Sequence, residues 1–200
     1  METQQQSFFT SLVYRLLPRH FQELPSEMQR KTLLTAQFGL AFAGISLLYS
    51  PVYVVFGIPL LSVISVFIGF ASLANVLYLK RGGSVLGAAS FILLLLDGLI
   101  IALTYVIGGD KSPIWMVIVL VPVIAILLIS SRAGLVWAFI VIAQYSTFWI
   151  LGLLGTPFDT ILPPAFIPYF PIMVFPAVIG LLVVIVLLFE KKQSGNSFRT

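Results

Sequence analysis

The chain has 200 residues, of which 60% are hydrophobic and 9% are charged, with a formal net charge of +4 and no cysteine. This much apolar side chain excludes a water-soluble globule, since too few polar groups remain to cover one, and it predicts an all-α integral membrane protein in the lipid bilayer. The basic residues flank apolar runs instead of forming a patch, which argues against nucleic acid as a partner, and the lack of cysteine excludes disulfides and thiolate metal ligands.

Residues 1–31 contain no spanning run and predict a cytoplasmic or interfacial amphipathic segment. On a helical wheel its apolar residues fall on one half and its polar residues on the other. The apolar set is Phe8, Phe9, Leu12, Val13, Leu16 and Leu17, and the polar set is Thr10, Ser11, Tyr14 and Arg15. We expect this helix to lie in the headgroup plane, with Arg15 and Arg19 facing anionic lipid, and to end at Pro18. Ser26 and Gln29 then predict a capping box that starts the next helix.

Six apolar runs between charged boundaries predict six transmembrane helices, at 32–54, 58–79, 84–107, 113–130, 134–155 and 168–189. The first two come from one uncharged stretch of 48 residues, Thr32 to Leu79. That stretch must fold back once, because about 20 residues cross the hydrocarbon core. The turn is predicted at Phe56 to Pro59, and Ser50-Pro51 is the alternative break. The bundle is therefore predicted over 32–189, followed by a short cytoplasmic tail at 190–200.

The distribution of Lys and Arg predicts the side of the membrane on which each chain end lies. In the six-helix arrangement ten of the eleven basic residues fall on one side and only Lys111 falls on the other. Cytoplasmic loops carry the excess of Lys and Arg, so both termini are predicted to be cytoplasmic. The ten residues are Arg15, Arg19, Arg30, Lys31, Lys80, Arg81, Arg132, Lys191, Lys192 and Arg199.

Asp97 is the ionisable side chain that this arrangement places at mid-membrane, near the centre of the third helix. An ionised carboxylate there costs about 2.5–3.5 kcal/mol, so the neutral acid is favoured. Gln144 is central in the fifth helix, and prolines in the fourth and sixth helices each free a backbone carbonyl, at Ile118 and Ile172. We expect a protonated Asp97 to donate to Gln144 or to one of those carbonyls. Two interpretations stay open: a proton- or ligand-responsive switch, or a hydrogen bond that only sets helix packing.

The sequence offers no catalytic or metal-binding constellation. His20 is the only histidine and is predicted at the interface, so clusters of metal ligands, histidine-based catalysis and bis-histidine haem ligation are not expected. Asp110 and Lys111 are neighbours in a predicted turn at 108–112 and are expected to form a solvated surface pair. We therefore predict a protein that is not an enzyme and that binds no metal or other cofactor.

Motifs along the third and fourth helices resemble those of a known family. An Asp in the third helix is followed by a Thr and an aromatic residue, a Gly-Gly turn and Ser-Pro, and then an Arg-Ala-Gly-Leu run that reaches a Trp. Here these are Asp97, Thr104-Tyr105, Gly108-Gly109, Ser112-Pro113 and Arg132 to Ala138. The pattern resembles the six-helix membrane sensor domain found at the N-terminus of many bacterial histidine kinases and nucleotide or diguanylate cyclases.

The resemblance implies ligand sensing in the bacterial cytoplasmic (inner) membrane. In that family the last helix continues into a cytoplasmic signalling helix and an output domain, whereas this chain stops at Thr200. We therefore expect either an excised sensor module or a stand-alone relative that works through a separate partner.

The predicted function is a non-enzymatic membrane receptor or sensor-like module that passes a signal to a cytoplasmic or membrane partner, or within a homo-oligomer. Its candidate intramembrane polar site comprises Asp97, Gln144, Thr104 and Tyr105, and its candidate outer turn comprises Gly108, Gly109, Ser112 and Pro113. The alternative is a structural accessory subunit of a larger membrane complex, which would dock through its amphipathic N-terminus.

Overall fold

The computed structural model describes residues 13–158. These residues belong to one of the two compact units of the chain, Met1–Ile161. Predictions for 1–12 and 159–200, including the sixth helix at 168–189 and the tail at 190–200, lie outside the described residues. Within 13–158 all regular structure is helical and no strand occurs.

Six α-helices make up most of the described range. They are α1 (Ser26–Val55), α2 (Pro59–Lys80), α3 (Val85–Val106), α4 (Trp115–Ile118), α5 (Leu120–Leu128) and α6 (Ser131–Leu153). Short 3₁₀ turns lie at Phe21–Glu23 and Gly109–Lys111. Four helices, α1, α2, α3 and α6, are long and apolar enough to cross a membrane. The six-span topology and the side on which the termini lie remain predictions.

The first helix differs from its prediction at its start and agrees with it at its end. α1 begins at Ser26, where the prediction places the start of a helix but not yet of the span, and it continues through Pro51, so the alternative break at Ser50-Pro51 is not used. The predicted capping box is wrong. Pro25 is the N-cap residue and no side chain caps the helix, because Ser26 is already its first helical residue. The Gln29 amide turns back instead to the preceding turn, where its Nε2 donates to the Leu24 carbonyl oxygen at 2.8 Å.

The predicted fourth helix, 113–130, is two short helices rather than one continuous span. α4 and α5 are separated at Val119, although Val119 itself keeps right-handed helical angles of φ −60° and ψ −23°. Pro122 has no N–H to donate to the Ile118 carbonyl, which interrupts the hydrogen-bond ladder at this point. Taken together, α4 and α5 form an apolar but short helical segment, Trp115–Leu128. It extends for about 21 Å, less than the hydrocarbon core of roughly 30 Å.

Small residues allow α1 and α2 to approach closely. A Cβ atom added at Gly39 would lie 2.7 Å from Cγ2 of Val76, and one added at Gly69 would lie 2.7 Å from Cγ of Leu47. Near the far end of the same hairpin the Ser50 and Ser62 hydroxyl oxygens are 2.8 Å apart and form a buried hydrogen bond. Helices without a hydrophobic drive between them associate through such close packing and polar contacts.

The start of α1, the end of α2 and the start of α3 lie at one end of this bundle, which we call the basic end because it carries Lys31, Lys80 and Arg81. The last residues of the predicted amphipathic segment pack at this end. Val13 and Leu17 are buried in a cluster with residues of α1, α2 and α3, whereas Tyr14 and Arg15 are exposed. The predicted amphipathic division therefore holds for these four residues, and the interfacial position of the segment stays a prediction.

Candidate functional site

Asp97 and Gln144 lie on different helices at similar depth. Asp97 is on α3, about 18 Å from its first residue, and Gln144 is on α6, about 20 Å from its first residue. Both helices start from serine N-caps at the same end of the bundle, since Ser84 accepts from the Gly87 N–H and Ser130 accepts from the Ala133 N–H. Because the two distances from the caps are nearly equal, the two polar side chains lie at the same height along the bundle.

The structure joins these two side chains directly. Nε2 of Gln144 donates to Oδ2 of Asp97 at 2.7 Å, and Asp97 is only 6% exposed. The other oxygens of the pair, Oδ1 of Asp97 and Oε1 of Gln144, are buried and have no hydrogen-bond partner among the described residues. Both are acceptors when the carboxyl is ionised, whereas a proton on Oδ1 turns it into a donor. If Oδ1 of Asp97 carries the proton, Oε1 of Gln144 is the unpaired acceptor available to it.

The hydrogen bond connects two helices that otherwise meet mainly through a third. α5 packs against both α3 and α6, while α3 and α6 make little direct contact with each other in the described range. α6 itself buries only Gly134, Trp137 and Val141. Within the described residues the Asp97–Gln144 bond is therefore a direct side-chain link between α3 and α6, in addition to the packing of both helices on α5.

Thr104 lies two turns beyond Asp97 on the same face of α3. Its side chain is fully buried at 0% exposure, and Oγ1 has no hydrogen-bond partner in residues 13–158. Tyr105, the other predicted member of the polar site, faces away, with 62% exposure and a ring contact to Phe158. The structure therefore places Asp97, Gln144 and Thr104 on the protein interior and separates Tyr105 from them.

The predicted outer turn is more buried than expected. The segment from Ile107 to Ile114, which we call the glycine turn, has Gly108 at φ +101° and Gly109 at φ +60°, in the left-handed region that favours glycine. Gly108, Gly109 and Ser112 are buried, and the Ser112 hydroxyl accepts from the Ile114 N–H at 3.3 Å. Pro113 is exposed.

The predicted solvated pair in this turn is solvated only in part. Lys111 is exposed, but Asp110 is half-buried. Its carboxyl group lies against α6, so close that a Cβ atom added at Gly152 would be 2.8 Å from the Asp110 Cγ. The glycine turn and the end of α6 are therefore in contact, and a larger side chain at position 152 would require the Asp110 side chain to move.

Aromatic side chains from three parts of the chain surround the glycine turn. Nε1 of Trp115 donates to the Gly109 carbonyl oxygen at 2.9 Å. The Trp115 ring meets the edges of Tyr145 and Phe148, with centroid distances of 5.0 and 5.2 Å, and Phe148 lies 5.6 Å from Phe158. We call these four residues the aromatic cover. Edge-to-face pairs of this kind stabilise by about 0.5–1.5 kcal/mol each beyond the area they bury.

The sequence did not predict the aromatic cover. Aromatic residues near the ends of spans are common, since amphipathic rings prefer that depth, so the position of Trp115 carries no special signal. Nothing in their spacing predicted that Trp115 would bind the backbone of Gly109. The cover is also linked to the polar pair, because Tyr145 follows Gln144 directly and Phe148 lies one turn further along α6.

Among residues 13–158 no group of three or more His, Cys, Asp or Glu side chains is placed to hold a metal ion. Residues 13–158 form an all-helical fold in which four helices are long and apolar enough to cross a bilayer, and this indicates a membrane protein. No protein-family model, curated protein or solved structure matches the chain. The resemblance to the bacterial membrane sensor domain therefore stays a prediction.

Proposed function

We propose that this chain is a non-enzymatic membrane sensor-like module, in which the Asp97–Gln144 pair controls how α6 sits against α3. The observation that carries the proposal is the pair itself: one hydrogen bond of 2.7 Å beside two buried oxygens for which residues 13–158 supply no donor. A buried polar group without a partner costs free energy, and intramembrane ionisable residues are more often functional than incidental.

Two states of the pair follow from its chemistry. With a proton on Asp97, the acid O–H can donate to Oε1 of Gln144 while Nε2 of Gln144 donates to Oδ2, so that both groups are satisfied. Without that proton, two acceptors and a negative charge share a buried site, which weakens the link between the helices. The proton, or a ligand that supplies the same donor, is thus the signal that this site is built to detect.

The aromatic cover connects the helix that carries Gln144 to the glycine turn. Tyr145 and Phe148 move with Gln144 because they belong to the same helix, and both contact the Trp115 ring, which holds the Gly109 carbonyl. A small shift of α6 therefore changes the packing of the glycine turn. Bistable packing of this kind is how local changes are amplified.

The remaining parts of the proposal rest on the sequence. They are the bacterial cytoplasmic (inner) membrane, both termini in the cytoplasm, and transfer of the signal to a separate partner or a second copy of the chain. The ten-to-one distribution of Lys and Arg supports the orientation.

The test uses Trp115 as a reporter and protons as the probe. Trp137→Phe and Trp149→Phe remove the other two tryptophans, and the full chain is placed in lipid nanodiscs. As pH rises from about 5 to about 9, we expect Trp115 emission to shift to the red, because loss of the acid proton loosens the aromatic cover. Asp97→Asn, which cannot titrate, should abolish the shift.

Asp110→Asn is the matched control, since Asp110 is the other described carboxyl group near the cover and touches α6 at Gly152. The control variant should keep the response to pH. A shift that persists in Asp97→Asn and disappears in Asp110→Asn would refute the role of the midplane pair. A Trp115 emission maximum that does not move with pH in the parent protein refutes proton sensing altogether.

A further inference from the structure

A cavity of about 450 Å³ lies at the basic end of the bundle, far along α3 and α6 from the aromatic cover. Three parts of the chain line it: the N-terminal segment with the start of α1, the turn between α2 and α3, and the end of α5. Its volume is within the range of roughly 300–1,000 Å³ that is typical of ligand sites. The walls include Pro18, Met28, Lys31, Ser84, Val85 and Leu128.

The cavity lining combines apolar and polar side chains. Most of it is apolar, from side chains such as Met28, Val85 and Leu128, while Lys31 and Ser84 add polar groups. The Lys31 ammonium is held in place by an ion pair with Glu27, Nζ to Oε1 at 2.8 Å, and its side chain is 24% exposed. A ligand that fits these walls has an apolar part and a negatively charged part.

The charge around the cavity is predominantly positive. In the described range the basic end carries seven Lys and Arg side chains against two Glu, Glu23 and Glu27. The seven are Arg15, Arg19, Arg30, Lys31, Lys80, Arg81 and Arg132. Because membrane-crossing helices begin and end here, the cavity lies at the level of the lipid headgroups. Basic pockets between transmembrane helices at this level are suited to anionic headgroups.

We propose that this cavity binds an anionic phospholipid, with the headgroup phosphate beside Lys31 and apolar chain against Met28, Val85 and Leu128. The site is independent of the Asp97–Gln144 pair, which lies at mid-helix. A bound lipid would join the N-terminal segment to α1, α3 and α5, because all of them contribute to the walls.

The experiment measures which lipids remain on the full chain. The protein is assembled in nanodiscs of equal parts phosphatidylcholine and phosphatidylglycerol, transferred to mild detergent, and examined by native mass spectrometry. We expect phosphatidylglycerol to be retained in clear excess over phosphatidylcholine. Val85→Trp, which fills the cavity, should remove this excess, whereas Val55→Trp, at an exposed position at the opposite end of α1, should keep it.

Charge variants test the cationic wall without filling the cavity. Lys31→Gln should lower retained phosphatidylglycerol about fivefold, and Lys111→Gln, the matched change outside the basic end, should leave it unchanged. Glu27→Gln separates the lipid contact from the ion pair, because it removes the acidic partner and keeps the cation, and it should not lower retention. Far-UV circular dichroism establishes that each variant is folded.

Three results would overturn the proposal. One is equal retention of the two lipids by the parent protein, which shows no anionic preference. Another is retention of phosphatidylglycerol by folded Val85→Trp at the parent level, which shows that the lipid binds elsewhere. The third is an equal loss in Lys31→Gln and Lys111→Gln, which shows only a response to net charge.

Discussion

Substitution of both members of the midplane pair separates what it contributes to stability from what it contributes to signalling. The single variants are Gln144→Leu and Asp97→Leu, and the double variant carries both changes. Leucine is apolar and close enough in size to fill either position without a new polar group. The double variant therefore removes the hydrogen bond and the two buried acceptor atoms together.

The expected magnitudes follow from burial. Gln144→Leu leaves the Asp97 carboxyl group 6% exposed and without its donor, which we expect to cost about 1–3 kcal/mol of unfolding free energy. Asp97→Leu leaves the amide of Gln144, which is only half-buried, and should cost about 1 kcal/mol or less. Removal of both polar groups should be nearly neutral, so the magnitude of the coupling energy between the sites is the sum of the two single costs, about 1–4 kcal/mol.

Denaturant unfolding of the full chain in mixed micelles, followed by far-UV circular dichroism, measures these differences. Thr147→Val is the control on α6, since Thr147 is exposed and its hydroxyl donates to the Ala143 carbonyl oxygen of its own helix. We expect this control to be within about 0.5 kcal/mol of the parent protein. A double variant as unstable as the sum of the two single variants, which means a coupling energy of zero, would refute the pairing. A stable double variant without a Trp115 response would show that the pair serves signalling beyond packing.

Two further predictions concern packing and the aromatic cover. Gly39→Ala should destabilise the chain by about 1–3 kcal/mol in the same unfolding assay, because the new methyl group meets Val76, a β-branched side chain that is 2% exposed and has little freedom to move. Gly44→Ala on the same helix has nothing within 4 Å and should stabilise by up to about 1 kcal/mol, so similar signs for the two would contradict the close α1–α2 contact. Trp115→Phe keeps the ring contacts but loses the bond to the Gly109 carbonyl oxygen, and should cost about 0.5–1.5 kcal/mol and increase hydrogen exchange in the glycine turn. Unchanged exchange there would mean that this bond does not hold the turn.

Composition and charge placement were sufficient to predict the class of protein and most of the helix positions in the described range. Long uncharged runs bounded by Lys, Arg, Gly and Pro allow few alternatives in a bilayer, because every backbone polar group must be bonded within a helix. The turn at 56–58 and the start of α3 after Ser84 follow from such local signals. The depth of Asp97 and of Gln144 also follows from counting residues along a helix.

Other features depend on contacts between distant parts of the chain. Asp97 had Gln144 and the Ile118 carbonyl as possible partners within the described residues, and only the arrangement of α3, α5 and α6 joined it to Gln144. The third predicted partner, the Ile172 carbonyl, lies outside the described residues. The burial of Val13 and Leu17 depended on apolar surface left at the ends of three helices, which no local pattern shows.

The sequence by itself determined which segments are apolar and long enough to predict membrane helices and where an acidic group falls along one of them, because hydrophobicity, length and the position of charges are properties of each segment alone. Only the tertiary structure decided which side chains share a site. It paired Asp97 with Gln144, enclosed the glycine turn in aromatic rings and opened a cavity at the basic end. The reason is that hydrogen bonds, ring contacts and cavities depend on distances between helices, and these distances come from packing and not from any single stretch of sequence.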